Sequence, residues 1–513
     1  MDHSLGLPNE MVATTFHYLS QPDVLRVARV CSRWRSVART VPEFYAHLIL
    51  DGDHFNKLPA YEQRIETFTR QLRDAASAGF RLSLVISVQW DADEQLDTDY
   101  SSDEEYHHDA YDLDEVMPKL VREAVIRVLP QYLPRIVKLH VALPAACFDD
   151  LQQSLHYPAP ELSSLGLDFV GSGEIGEDEV LGSLSVDLFN GHAPKLTRLQ
   201  LANVPLVEGV VIPALSRVPT LYLEYYADRD IPVIASHFPA VRHLSLDDIR
   251  HVMEDDEDIP LSPWSTLETL VLDVVVLPHG LPVMLGALIT GQCIPNVYAR
   301  LHSEDYADIG IAVPPFIEHF QSSIHLSLFH LDRAETASSY PPPLLNIPPD
   351  AVTYQIELHT VANSNCLTLL VDPDEAPSAV VEVANLMREH IIYLRFAFSG
   401  KALILDAFDS LQQLTTLHVD LDIRVNGRDI EDGRRPVLYC PRLDRVVAYA
   451  PGQYGLDRLD QIRAILHDFV PEHLPLLVLQ GNPLPELVHS PLLLSDFRGV
   501  IVEPTQSFSK TLL

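Results

Sequence analysis

The sequence predicts an α/β chain in which a small all-helical head precedes a long, irregular array of short parallel strands alternating with helices or loops. Three observations carry that expectation. Residues 1–50 hold three short amphipathic stretches, a strict apolar alternation follows in "RLSLVISVQW", and beyond it one proline-led phrase recurs along the chain. At 513 residues the chain is too long for one ordinary globular core, so several domains or an extended repeat array are required.

The head comes first. Pro8 suits a first helical turn, where its missing N–H would be unpaired anyway. From it Val12, Phe16 and Leu19 fall at i, i+4, i+7, one helical face. Ser20 and Asp23 in "SQPD" have capping-box spacing, and Pro22 pre-sets the backbone. A second helix is expected to carry Val24, Leu25, Ala28 and Cys31 inward, and a third Trp34, Val37, Ala38 and Val41. Helices this short are marginal in water, so burial against something else must hold them. The expectation is that the segment docks.

"LPNEM", Phe16, Leu19 and "DVLRVARVCSRWRSVA" together resemble the F-box, the module that plugs into the Skp-type adaptor of cullin–RING ubiquitin ligases, over about residues 5–48. Leu7-Pro8, Glu10, Phe16, Leu19, Asp23, Leu25, Val30-Cys31 and Trp34 stand in the family's order. Thr15, where the family has a branched aliphatic, and "EFY" at residues 43–45, where it often has Leu-Trp, depart from it. The resemblance implies adaptor contacts from Leu7, Pro8, Glu10, Met11, Phe16, Leu19, Leu25, Val30, Cys31 and Trp34, and through the adaptor a cullin.

Next, "KLPAYEQRIETFTRQLRDAASAG" reads as a helix with Ile65, Phe68 and Leu72 on one face, and Leu82, Leu84, Ile86 and Val88 alternate as a strand. The recurring phrase is a proline, an apolar residue two on, then apolar residues three and five beyond that: "PRIVKLHV", "PELSSLGL", "PKLTRLQL", "PAVRHLSL" and "PRLDRVVA". Looser versions lie at "VPTLYL", "SPWSTLETLVL", "IPNVYARL", "HIIYLRF", "QQLTTLHV" and "LPLLVL". Prolines 134, 160, 194, 219, 239, 263 and 295 are spaced by 26, 34, 25, 20, 24 and 32 residues, which brackets the period of leucine-rich repeats. Each unit is too small to bury its own face, so neighbours must stack as an irregular leucine-rich-repeat-like solenoid. Alternate positions enter the core, leaving Lys138, His140, Arg198 and Gln200 on a concave face for a partner. Many F-box proteins carry such a solenoid as substrate receptor, which the resemblance therefore also implies. A doubly wound α/β enzyme is the competing architecture.

Charge narrows the partners. The formal net charge of −36 argues against general binding to nucleic acid or to an anionic membrane. Residues 1–50 carry five Arg against four acids, leaving −37 on the rest, which favours a client with a basic surface. Cys31, Cys147, Cys293, Cys366 and Cys440 lie far apart with no CxxC, so reduced buried thiols are expected. No signal peptide or convincing membrane span is visible, and the expected location is cytoplasmic or nuclear.

Signals for chemistry are thin. "GSGEIG", residues 171–176, matches GxGxxG, but Glu174, Glu177, Asp178 and Glu179 would repel a phosphate, so it reads as a turn. Residues 91–115 hold twelve acids and no Lys or Arg, which fits a solvated insertion; an EF-hand would need a glycine that is missing. Ser102 before "DEE" is a candidate site for an acid-directed kinase, and "EDDED" at 254–258 is a second acidic loop. No HExxH, GxSxG or P-loop occurs.

The expected organisation is therefore a head at 1–50, a linker helix at 51–80, the array at 81–505 and a tail at 506–513. The expected role is non-catalytic: a substrate-recognition subunit that needs no cofactor or metal and binds an adaptor at one end and a protein client at the other. A leucine-rich scaffold acting outside ubiquitin transfer, or an α/β enzyme, are the alternatives.

Overall fold

The computed structural model describes residues 7–51, 58–88, 119–170, 182–207, 210–224, 231–247, 264, 266–275, 294–302, 324–331, 353–360, 366–371, 376–421, 437–455 and 458–503. The chain divides into two compact units, Met1–Leu244 and Ser245–Leu513.

The first unit opens with helices α1 (Asn9–Phe16), α2 (Gln21–Val27) and α3 (Ser32–Ala38), a 3-10 turn at Pro42–Tyr45 and strand β1 (Leu48–Asp51). Helix α4 (Leu58–Ser77) follows as expected. It buries Tyr61, Ile65, Phe68, Leu72 and Ala75, spaced at three or four residues, and packs on β1 and the 3-10 turn.

Strands β2 (Leu82–Ser87), β3 (Ile136–Pro144), β4 (Ser164–Val170), β5 (Arg198–Ala202) and β6 (Thr220–Glu224) then pair in chain order with β1, every pair parallel. The sequence phrase and the sheet register coincide. Leu84, Leu139, Leu165, Leu199 and Leu221 stand opposite one another, and so do Ile86, Val141, Leu167, Leu201 and Leu223. All of these are buried. Parallel strands cannot be joined by a tight hairpin, and the described parts of the stretches between them supply a covering layer. In that layer Phe148 and Leu151 of α5 (Phe148–Ser154) are buried, and Phe148 meets Phe169 edge-on at 4.7 Å.

In two of the phrases the residue after the first apolar position is a hydroxyl with a task of its own. The Ser163 hydroxyl donates to Val137 O at 3.0 Å and the Thr197 hydroxyl to Ser163 O at 3.1 Å, stitching each unit to the one before. Strand β7 (His243–Asp247), formed by "PAVRHLSL", crosses the boundary after a short helix α6 (Ile231–His237).

The second unit contains β8 (Thr269–Val275), β9 (Asn296–His302), β10 (Ile324–Leu331), β11 (Thr353–Thr360), β12 (Cys366–Val371), β13 (Ile391–Ala397), β14 (Thr416–Asp420), β15 (Leu438–Tyr439), β16 (Arg445–Tyr454), β17 (Phe469–Val470), β18 (Leu476–Pro483) and β19 (Gly499–Glu503). The order of pairing is β8, β9, β12, β11, β10, β13, β14, β16, β18, β19. Every looser phrase of the sequence lies on one of these strands or on β6.

The uniform parallel alternation predicted from the sequence fails at one place. Strands β10, β11 and β12 pair antiparallel, and β9 meets β12 rather than β10. For β11 and β12 the physical reason is connection length. Only residues 361–365 separate β11 from β12, far short of the dozen or so a parallel crossover needs. From β13 onward the parallel order resumes, with β15 and β17 forming a small parallel pair of their own. Where β18 runs beside β16 the register shifts, and Gly481 adopts φ 112°. A Cβ there would lie 2.5 Å from Ala450 O, so glycine alone fits the bulge.

Candidate functional site

The head builds its own small core and then closes onto the unit behind it. Val12 and Phe16 of α1, Val24 and Ala28 beside α2, and Val37, Ala38 and Val41 from α3 onward are buried. Phe16 meets Trp34 edge-on at 5.8 Å, a favoured aromatic geometry. Cys31 ends the turn before α3, and its sulfur accepts the Trp34 N–H at 3.4 Å. Ser20 precedes α2 without capping its backbone; its hydroxyl donates to Asp23 Oδ2 at 2.7 Å instead. That bond, with Arg26, holds the Asp23 carboxyl below its ordinary value.

Polar ties fix the helices to one another. Arg33 Nε donates to Asn9 Oδ1 at 2.9 Å, and its guanidinium also reaches Leu7 O, so the start of α1 is strapped to α3. His17 Nδ1 lies 2.9 Å from Glu43 Oε2, and Gln21 Nε2 donates to His47 O at 2.7 Å. The departures from the F-box pattern turn out to face inward or to solvent. Phe44 and Tyr45 are buried, with Tyr45 against Phe80 at 5.7 Å, while Thr15 is exposed and bonds back to Met11 O at 3.0 Å.

Several large apolar side chains remain outside this core, Tyr18 at 86% and Ile49 at 54% exposed among them. Leu7 is 45% exposed, Met11 57%, Leu25 37% and Val30 67%. Pro8 and Glu10 are exposed as well, and Leu19, Cys31 and Trp34 are half-buried. Three residues stand otherwise than expected. Leu25 points outward, because Val24 and Ala28 already fill the α2 side of the core, and Cys31 serves as a helix cap. Phe16, at 2% exposed, lies inside the core and can act on a docking face only by supporting Trp34. The Arg33 strap and the His17–Glu43 pair were missed from sequence; each joins residues about two dozen apart, which no local periodicity reports.

The family model for F-box-like domains matches residues 5–51. The chain carries an F-box-like domain. No curated protein matches the chain. The match covers the helical head through β1, so the exposed apolar side chains above belong to the F-box-like domain itself.

Behind the F-box-like domain, the open face of the first unit's sheet is read in rows. Ser83, Lys138, Ser164, Arg198 and Thr220 form one, and Val85, His140, Gly166, Gln200 and Tyr222 the next. Lys138 and Arg198 are exposed, and the Arg198 guanidinium sits 5.6 Å over the Tyr222 ring. A Cβ on Gly166 would come within 2.2 Å of His140 Nδ1, so the imidazole rests over the bare glycine. Burial pushes the His140 imidazole down.

The second unit's open face is denser in polar groups. Tyr393 and His418 share a hydrogen bond of 2.9 Å between the phenol oxygen and Nδ1. Arg395 grips Asp420 with two nitrogens at 3.0 and 3.2 Å. Burial alone would raise Asp420, but hydrogen bonds from His418 and Arg395 outweigh it and hold the carboxyl below its ordinary value. Among the described residues no group of three or more His, Cys, Asp or Glu side chains could hold a metal ion, and no helix is long and apolar enough to cross a membrane. Ser102, the acidic stretches 91–115 and 254–258, "GSGEIG" and the tail 506–513 lie outside the described residues.

Proposed function

We propose that the chain is the substrate-recognition subunit of a cullin–RING ubiquitin ligase of the SCF type. The F-box-like domain docks the Skp-type adaptor, and through it a cullin. The strand array works as a leucine-rich-repeat-like receptor whose open face holds a protein client. The observation that carries this reading is the set of exposed apolar side chains, among them Leu7, Met11, Leu25 and Val30, on a domain whose core is already complete without them. Scattered exposed apolar residues are ordinary, but six large ones on one segment of forty-five residues, Tyr18 and Ile49 besides these four, with a matching domain model favour a partner surface.

The mechanism is positional. Two docking surfaces on one chain raise the effective concentration of client near the transfer chemistry, which occurs on other subunits. No catalytic group, cofactor or metal on this chain is required. The −37 carried by residues 51–513 suits a client with a basic surface, whose association would be faster at low salt. The test is affinity purification of the full chain and of a Met11→Glu, Val30→Glu double variant from cells. Adaptor and cullin should both be recovered with the wild type and both be lost from the variant, with clients retained. Recovery of adaptor without cullin would favour a scaffold outside ubiquitin transfer.

A further inference from the structure

The cysteines of this chain differ in their surroundings. Cys147 and Cys440 are buried, and burial pushes both thiols up, Cys440 to about 12. Cys366 opens β12 half-buried, and the antiparallel register sets it directly opposite His359 of β11. Its Sγ lies 3.7 Å from His359 Nε2 and 3.6 Å from Thr368 Oγ1. The same imidazole nitrogen lies 3.3 Å from Glu357 Oε2, and the His359 side chain is 43% exposed.

Other titratable groups surround the pair. His325 of β10 stands opposite His359, and its ring lies tilted against Tyr393 of β13 with centroids 4.9 Å apart. Tyr298 of β9 stands opposite Thr368. Hydrogen bonds with Cys366 and then with Glu357 push the His359 imidazole up to about 10, against the effect of burial. His325 is lowered, by burial first and then by the charge of His359, which favours its neutral form. The 3.7 Å approach of Sγ to His359 Nε2 lets the thiol proton pass to the imidazole, beside which the Glu357 carboxylate lies at 3.3 Å. A cation beside a thiol favours the thiolate, the nucleophilic form.

We propose that Cys366 and His359 form a thiolate–imidazolium pair on the open face of the sheet, a modification site for small neutral peroxides. The Glu357 carboxylate beside the imidazole disfavours anionic electrophiles, and partial burial admits only small ones. In the step, a lone pair on Sγ attacks one oxygen of hydrogen peroxide. The S–O bond forms as the O–O bond breaks, and the departing hydroxide takes the imidazolium proton to become water. Sulfur is oxidised by two electrons to the sulfenic acid, the peroxide is reduced, and His359 is left neutral. The changed charge would fall on the face proposed for client binding, but the site itself does not depend on that reading.

The test uses the full chain, hydrogen peroxide and a sulfenic-acid trap, with adducts quantified at each cysteine by peptide mass spectrometry. Labelling at Cys366 should exceed that at Cys147 and Cys440 at least tenfold, and His359→Gln should reduce it about tenfold while those two stay protected. In parallel, the rate of Cys366 alkylation by iodoacetamide should remain substantial at pH 6 in the wild type. Glu357→Gln should raise the ratio of iodoacetate to iodoacetamide reactivity several-fold. A wild-type alkylation rate that climbs only above pH 8, as for an isolated thiol, would overturn the proposal even if His359→Gln fails to fold. So would Cys366 labelling that His359→Gln leaves unchanged.

Discussion

The F-box-like domain and the strand array use the same kinds of apolar residue to opposite ends. In the array, Leu139, Leu165, Leu199 and Leu221 stand in register and are at most 1% exposed, each one covered because its neighbour repeats the pattern. In the F-box-like domain, Met11 and Val30 stay 57% and 67% exposed although Phe16, Val24 and Val37 nearby are covered. Repetition supplies its own partner; a unit that does not repeat must find one elsewhere. Burial of apolar surface is the same physical term in both regions, completed within the chain in one and left open in the other.

The sharpest way to break the comparison is to remove side chains from each region. Leu199→Ala should cost ~3 kcal/mol of unfolding free energy through lost burial and a residual cavity, read as a lower urea midpoint. Val30→Ala should shift that midpoint by no more than about 0.5 kcal/mol. Similar losses from the two would erase the distinction drawn here. Trp34→Ala tests the border between them. Half-buried on Phe16, it should lose roughly 3 kcal/mol, divided between the stability of the domain and adaptor affinity. A smaller effect is expected at the stitches of the array. Thr197→Val removes one hydroxyl bond to Ser163 O and should cost about 1 kcal/mol.

The slightest effect is one of pH. The His359 imidazole holds its proton more tightly folded than unfolded, so its contribution to stability is complete below about pH 6.5 and lost as pH rises toward about 10. Urea midpoints measured over that range should decline with pH, and His359→Gln should flatten part of the decline.

Much of this was legible in the sequence, for reasons that differ by region. The proline-led phrase marked strands because parallel in-register pairing places equivalent residues side by side, so the sheet copies the repeat. The leading proline is absent from "IHLSLFHL", "TYQIELHT" and "CLTLLV", as it is from "HIIYLRF" and "QQLTTLHV"; what escaped at β10, β11 and β12 is the antiparallel pairing, which needs no repeated phrase. Helix periodicity found the core positions of the F-box-like domain but put Leu25 on the wrong side, since a short helix leaves the width of its apolar face undetermined. The Cys366–His359 contact was invisible for another reason. Alternate positions on two strands become neighbours only through their register, and nothing in either strand alone states it.

The central claim is that the exposed side chains of the F-box-like domain exist for an adaptor. Calorimetric titration of a purified Skp-type adaptor into the full chain, beside the Met11→Glu, Val30→Glu variant with its urea midpoint determined, tests it most directly. The account predicts binding by the wild type, at least a hundredfold weaker affinity in the variant and an unfolding midpoint that scarcely moves. Equal affinity in a variant as stable as the wild type would contradict it.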